Sequence, residues 1–323
     1  MRALATRALE AWDLQVQKLE MVSLSENVVF RVGTDGGDFA LRIHRPGYHT
    51  RAELDSEQMW GRALSEFGVG VPLGVLTRTD EYYVEVPMPD GAGDTRLVGL
   101  IPWFDGETLA QRIRGSSDDA QRLADFAQLG AVIAQTHNQA SGWEPPAGFV
   151  RHSLDADGLM GSSPFWGPFW DPPELSGAQR ALVLETRDLL HPRLEALGKD
   201  PQTYSMIHAD LHSENVMVDG DRVQVIDFDD AGFGFHAYDI AVALFDLPKQ
   251  AYPAVRDALL HGYRSKRPLD DAVVELLPMF DLIRALAILG WLYERPEQPR
   301  KFVEAVIVRA CAQAEALKLG EST

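Results

Sequence analysis

The chain has 323 residues, enough for two units of ordinary domain size rather than a single core. Its 46% hydrophobic and 24% charged content is that of a soluble globular protein and excludes a disordered class. A formal net charge of −18 argues against nucleic acid as a partner, since phosphate-backbone binding relies on Lys and Arg; the same field would favour a cationic substrate, but the preferred reading is that of the many soluble proteins that are acidic without such a purpose.

In chain order, Met1–Glu10 reads as an amphipathic helix with charges throughout and not as a signal peptide. Alternating apolar residues over about Leu14–Leu24 and Asn27–Gly33 predict two strands joined by the turn Ser23-Leu-Ser-Glu-Asn27, with Val28, Phe30 and Val32 on one face. A third strand, Asp38–His44, places Phe39, Leu41 and Ile43 on one face and Arg42 on the other. Thr50–Phe67 predicts a helix capped by Thr50, with a stripe of Leu54, Trp60, Ala63 and Leu64. Glu57 lies within that stripe, and a carboxylate on the buried side of a helix needs a partner. Residues 73–78, 82–87 and 96–103 complete a small antiparallel sheet of about five strands.

From Glu107 onward the chain turns helical. Residues 118–139 carry a core stripe that ends in His137, read as a packed core histidine. Residues 152–177 are rich in Gly and Pro and hold Phe165, Trp166, Phe169 and Trp170, either one wall of an acceptor pocket or a pin for a long connection. The pin is the preferred reading. Ser176–Leu197 is a helix, another begins near Asp239, and residues 249–265, 270–294 and 298–319 read as three more. Asp281 and Arg284, on the apolar second of these, rank below the loops as substrate contacts. The stretch Leu286–Leu292 is far too short to cross a membrane, and no membrane partner is expected. Cys311, the single cysteine, has no disulfide partner within the chain, which fits a cytoplasmic location.

The chemistry concentrates in Tyr204–Val218 and Val225–Asp230. Val216–Val218 and Val223–Ile226 flank Asp219-Gly-Asp221, a hairpin signal. Such a hairpin brings Asp227 near the loop that carries Asp210 and Asn215. Phosphoryl transfer needs this convergence, because the protein chiefly positions a nucleophile and neutralises phosphate charge with a divalent metal. Asp210 has the spacing of a base for a substrate hydroxyl, and Asn215 and Asp227 are hard oxygen donors for Mg²⁺. His208 reads as structural, bonded within its loop, and His212 as a loop or substrate-edge residue.

His208-x-Asp210-x-x-x-x-Asn215 followed by Ile226-Asp-Phe-Asp229 resembles the catalytic and metal-binding loops of the aminoglycoside phosphotransferase family, relatives of protein kinases. His-Ala-Asp-Leu-His-Ser-Glu-Asn and Asp-Phe-Asp-Asp-Ala-Gly-Phe-Gly-Phe are most similar to the bacterial branch with stress-response Ser/Thr kinases and type II homoserine kinases. The resemblance implies an α+β, protein-kinase-like two-lobe fold: a sheet lobe over residues 1–102 and a mostly helical lobe over 103–323, with ATP between them. It implies that Ser25 and Asn27 lie on the phosphate side of the first turn. Arg42 stands where a lysine is usual against the α and β phosphates, paired with Glu57, or with Glu53 one turn earlier. Backbone groups near Ile101 and Trp103 would meet the adenine edge. Asp239 would brace the catalytic loop, and Asp229 stands where protein kinases have glycine. The expected activity is transfer of the γ-phosphoryl group of ATP to a hydroxyl of an aminoglycoside-like compound or amino alcohol. The alternatives are a Ser/Thr side chain of a protein as acceptor, or an ATP-binding regulator without turnover.

Overall fold

The computed structural model describes residues 1–24, 27–88, 94–245, 247–248 and 250–321. Its elements up to the first long helical stretch are α1 (Arg2–Leu9), β1 (Val16–Leu24), β2 (Val28–Thr34), β3 (Gly37–Ile43), α2 (Arg51–Phe67), β4 (Tyr83–Pro87), β5 (Thr95–Pro102), β6 (Glu107–Thr108), α3 (Leu109–Gly115) and α4 (Asp119–Ser141). There follow β7 (Ser153–Leu154), α5 (Ala156–Met160), α6 (Gly177–Leu197), β8 (Tyr204–Ile207), β9 (Val216–Asp219), β10 (Arg222–Val225), β11 (Gly232–Phe235), α7 (His236–Leu244), α8 (Tyr252–Arg264), α9 (Asp271–Glu275), α10 (Leu277–Tyr293) and α11 (Arg300–Glu321). Two compact units result. The first takes Met1–Thr108, Glu144–Val150 and Val216–Ile226, and the second Leu109–Trp143, Arg151–Asn215 and Asp227–Thr323.

The first unit is built on a five-stranded antiparallel sheet of order β1-β2-β3-β5-β4. Strand alternation sends Phe30, Val32, Leu41, Ile43, Val98 and Leu100 to one face, where Leu4, Ala5, Ala8 and Leu9 of α1 bury them. Arg42, between Leu41 and Ile43, therefore faces away from α1. Its register partners are Val29 on β2 and Gly99 on β5, so it sits in the middle of the sheet and not on an edge. Helix α2 begins where the sequence places it. Thr50 Oγ1 accepts the Glu53 N–H at 3.3 Å and Glu53 Oε2 accepts the Thr50 N–H at 2.7 Å, a capping box.

One expected strand is absent. Residues 73–78 form no strand: the Val75 N–H reaches the Leu100 carbonyl of β5 at 2.7 Å, but the Val75 carbonyl accepts from Trp12 Nε1 and the neighbouring amides turn to other groups, so the ladder does not continue. The Gly74 N–H donates to Gln58 Oε1 at 2.8 Å, and a Cβ at Gly74 would lie 2.6 Å from that oxygen and 2.7 Å from Tyr82 Cδ1. The expected hairpin is present: β9 and β10 pair antiparallel with Asp219 opposite Arg222, and Gly220 takes the left-handed φ of 57° that the tight turn requires.

In the second unit the central strand is β11, antiparallel to β8 and parallel to the short β7. Helices α4, α7, α8 and α10 bury apolar stripes that include Leu129, Ile133, Ile240, Leu259, Phe280, Ile283 and Leu286. No helix among the described residues is long and apolar enough to cross a membrane. Thr50→Ala removes one half of the capping box; it is expected to lower stability by about 1 kcal/mol, seen as a lower denaturant midpoint at unchanged m value.

Candidate active site

The strand pair β8–β11 decides where the loops begin. Ile207, the last residue of β8, is the register partner of Gly232, the first of β11. The loop 208–215 and the loop 227–231 therefore leave the same end of one strand pair. The Phe228 ring lies 4.7 Å from that of His208, so the two loops touch. Loop 227–231 is pinned from three sides: Arg151 donates to the Phe228 carbonyl, His152 Nε2 to the Asp230 carbonyl at 3.1 Å, and Trp166 Nε1 to Asp230 Oδ2 at 3.1 Å. The Phe165 ring stacks on His152 at 3.5 Å, and Trp166 and Phe169 are buried. These residues pin the long connection and, beyond that, fix the Asp230 loop.

Among the described residues the non-glycine positions with positive φ are Asp80, Ala209 and Asp227, the last two at 65° and 66° within these loops. A left-handed alanine is held only where its surroundings over-determine it. Here Asp239, fully buried at the start of α7, does so: its carboxylate accepts the His208 N–H at 3.1 Å and the Ala209 N–H at 2.7 Å. His137 Nε2 gives it a third donor at 3.1 Å, while His137 Nδ1 accepts from the Tyr263 hydroxyl at 2.9 Å. A carboxylate can only accept, so the proton is on Nε2. Burial keeps His137 neutral by driving its pKa well below the usual value, and burial raises Asp239 to about 6. His208 is internal to its loop, its Nδ1 accepting the Asp210 N–H at 3.3 Å.

Asp210 is held by partners from its own loop and from α10. Asn215 Nδ2 donates to its carbonyl at 2.8 Å and to its Oδ2 at 3.1 Å; His212 Nε2 lies 3.4 Å from Oδ2; Arg284 from α10 bonds Oδ1. Burial alone would raise the Asp210 pKa, but the charges of Arg284 and His212 outweigh it and hold the carboxyl well below the ordinary range. Arg284, ranked low from the sequence as a substrate contact, is a partner of the Asp210 carboxylate, a role the sequence reading did not assign it. The signal was present: a cation amid Phe280, Ile283 and Leu286 demands a partner, the same argument applied to Glu57.

The remaining candidates belong to the first unit. Glu57 on α2 is partly buried, and Glu53 is engaged by Thr50 in the capping box. Asn27 is buried, and its Oδ1 accepts the Arg45 N–H at 3.0 Å. Ser25 lies outside the described residues. Trp103 N–H donates to the Asp38 carbonyl at 2.9 Å and His44 N–H to that of Leu97 at 2.9 Å, which fixes the phase of the β3–β5 ladder. Ile101, two residues from Trp103, turns its backbone toward Ala40 in the same phase. The backbone group that faces outward here is the Pro102 carbonyl, so the amides of Ile101 and Trp103 are not the ones open to a ligand.

The expected donors for a cation are Asn215 and Asp227. No group of three or more His, Cys, Asp or Glu able to hold a metal occurs among the described residues, so a cage made only of such ligands is absent there. Magnesium does not need one, since it commonly takes one or two carboxylates and fills its sphere with water and phosphate. The Asn215 amide nitrogen faces two Asp210 oxygens, which leaves its Oδ1 as a hard donor, and Asp227 offers a carboxylate on the loop that follows β10. The residues fit the ion.

A small antiparallel sheet with its capped helix, and a helical unit with an aspartate loop at one strand end, define a protein-kinase-like phosphotransferase. The profile of the phosphotransferase enzyme family matches residues 21–277, and the chain belongs to that family. It is a kinase with an alcohol group as acceptor. The solved structure of a microcompartment-associated aminopropanol kinase is 32% identical, with a TM-score of 0.83 over 97% of this chain and 95% of that one. The amicoumacin kinase of Bacillus subtilis is 25% identical, covering 89% of this chain and 83% of that kinase. A homoserine kinase of Gluconobacter oxydans is 29% identical over 78% of this chain and 74% of its own length.

Asp239→Ala leaves two backbone amides and an imidazole N–H without an acceptor. Each such buried donor costs roughly 1–3 kcal/mol, so a loss of at least about 3 kcal/mol is expected in denaturant unfolding, together with loss of activity under conditions where the variant remains folded.

Proposed function

We propose that the enzyme transfers the γ-phosphoryl group of ATP to the hydroxyl of a small amino alcohol, with Asp210 as the base. The observation that carries this reading is the Asp210 carboxylate, which stays ionised, with a quarter of its side chain exposed, on a loop braced by Asp239. An ionised carboxylate is acceptor-only, so it takes the hydrogen of an incoming hydroxyl and turns the oxygen lone pair toward phosphorus. Its depressed pKa makes it a weak base. That suffices where the transition state is loose and orientation matters more than early proton removal.

Bound Mg²⁺, held by Asn215 and Asp227, would neutralise phosphate charge. Arg42 with Glu57 orients the α and β phosphates; the mid-sheet position of Arg42 and the engagement of Glu53 in the helix cap support that pairing over the alternative. Arginine offers a planar fork where lysine offers a point charge. The turn that carries Ser25 and Asn27 would cover the phosphates through backbone amides, since the Asn27 carbonyl oxygen already accepts from Arg45. The purine edge would meet the Pro102 carbonyl, flanked by Ile101 and Trp103.

The amino-alcohol acceptor is supported by the similarity to aminopropanol and homoserine kinases and by the net charge of −18, which attracts a cation. Incubation with Mg-ATP and a panel of amino alcohols, homoserine, aminoglycosides and proteins, read by mass spectrometry of the phosphate ester, tests it. An amino alcohol is expected to give product. Asp210→Asn is expected to lower kcat by about 10²–10⁴ with nucleotide affinity nearly unchanged. Thermal stabilisation by ATP without any phosphorylated product would instead identify a nucleotide binder without turnover.

A further inference from the structure

Arg284 sits in the apolar middle of α10, among the buried Phe280, Ile283, Ala285 and Leu286, with 14% of its side chain exposed. Desolvating a guanidinium costs several kcal/mol, and a buried ion pair is commonly no more stable than apolar residues of the same volume. Stability alone therefore gives no reason for a cation here. Its surroundings give another. The guanidinium bonds Asp210 Oδ1, and against the cost of burial the Asp210 and Asp230 carboxylates favour its charged form. Asp230 in turn accepts from Trp166 Nε1, and the Trp166 ring stacks on Tyr238 at 5.8 Å and 18°.

A carboxylate offers about four acceptor positions. Arg284 takes one on Oδ1, Asn215 takes one on Oδ2, and His212 stands 3.4 Å from Oδ2. We propose that Arg284 is a positioning residue for phosphoryl transfer: acting through Asp210, it fixes the plane of the carboxylate so that one acceptor position on Oδ1 remains for the substrate hydroxyl. This rests on the reading of Asp210 as the base. It assigns Arg284 no contact with substrate.

Arg284→Met preserves side-chain length in an apolar setting. It is expected to lower kcat by about 10–100-fold, the scale of a misplaced reacting group, with little change in the KM for ATP. Arg284→Lys, which keeps the charge but loses the fork, is expected to recover part of the rate. In the Asp210→Asn background Arg284→Met is expected to add nothing, because its route of action is gone. Acceptor phosphorylation and the slow hydrolysis of ATP by water are both followed, so the measurement does not wait on the best acceptor, and thermal midpoints of each variant report folding. Wild-type kcat in Arg284→Met, an equal loss in both backgrounds, or a fall that tracks thermal stability and nucleotide affinity alike would overturn the proposal. If Asp210→Asn is slow while Arg284→Met is fast, only the role of Arg284 fails. If Asp210→Asn turns over as wild type does, the base assignment fails and takes this inference with it.

Discussion

The loop that carries Asp210 depends on one fully buried carboxylate. Asp239 holds two successive backbone amides, and that grip keeps Ala209 in a left-handed conformation which an alanine would otherwise leave. The turn at Ala209 reverses the chain directly after β8, so Asp210 is presented at the end of the strand pair and not along it. Everything that then bonds Asp210 assumes this presentation. Asp239 is in turn oriented by a neutral histidine whose other nitrogen accepts from the Tyr263 hydroxyl, and His137 also stacks on His236 at 4.1 Å. Four helical and strand elements thereby converge on one turn of the loop.

With Asp210 as the base of the proposed function, two requirements compete there. A base should be basic, and the charges of Arg284 and His212 make this one less so. A base should also be fixed, and the same partners fix it. For a reaction with strong early proton removal the first requirement would dominate and an adjacent guanidinium would be harmful. For a loose phosphoryl-transfer transition state the second dominates, because the attacking oxygen needs direction before it needs charge. The observed arrangement favours direction.

The fold was legible where periodicity and capping agreed. The alternation in Asn27–Gly33 and Asp38–His44, the capped helix after Thr50, and the Asp-Gly-Asp hairpin each appear as local chemistry dictates. Residues 73–78 misled because alternation is necessary for a strand but not sufficient; at Gly74 a glutamine side chain takes the backbone donor that a neighbouring strand would have claimed. At the site, spacing identified the aspartate loop and the brace at Asp239, since both follow from contacts between a loop and its nearest helix. It did not identify Arg284, which lies 74 residues beyond Asp210, because a single sequence shows a buried charge without showing its partner. Around Ile101 and Trp103, apolar character does not say which backbone groups face outward; that is a matter of ladder phase, and phase is fixed by register and not by composition.

If the acceptor is the amino alcohol of the proposed function, long-range and local electrostatics divide the work between two substrates of opposite sign. A net charge of −18 attracts a cationic acceptor and repels a polyanionic nucleotide, most strongly at low salt. On the proposed function, binding of the nucleotide would therefore have to be won within a few ångströms, from Arg42, from backbone amides and from a divalent ion that arrives with the phosphates. At Asp210 the balance reverses. Arg284 cancels the charge of the carboxylate beside it, so the acceptor is drawn in by the field of the whole chain but is not locked by a bare ion pair at the reacting atom. A strong ammonium–carboxylate contact at that point would hold the wrong end of an amino alcohol against the base; a neutralised, fixed carboxylate leaves the position to the hydroxyl.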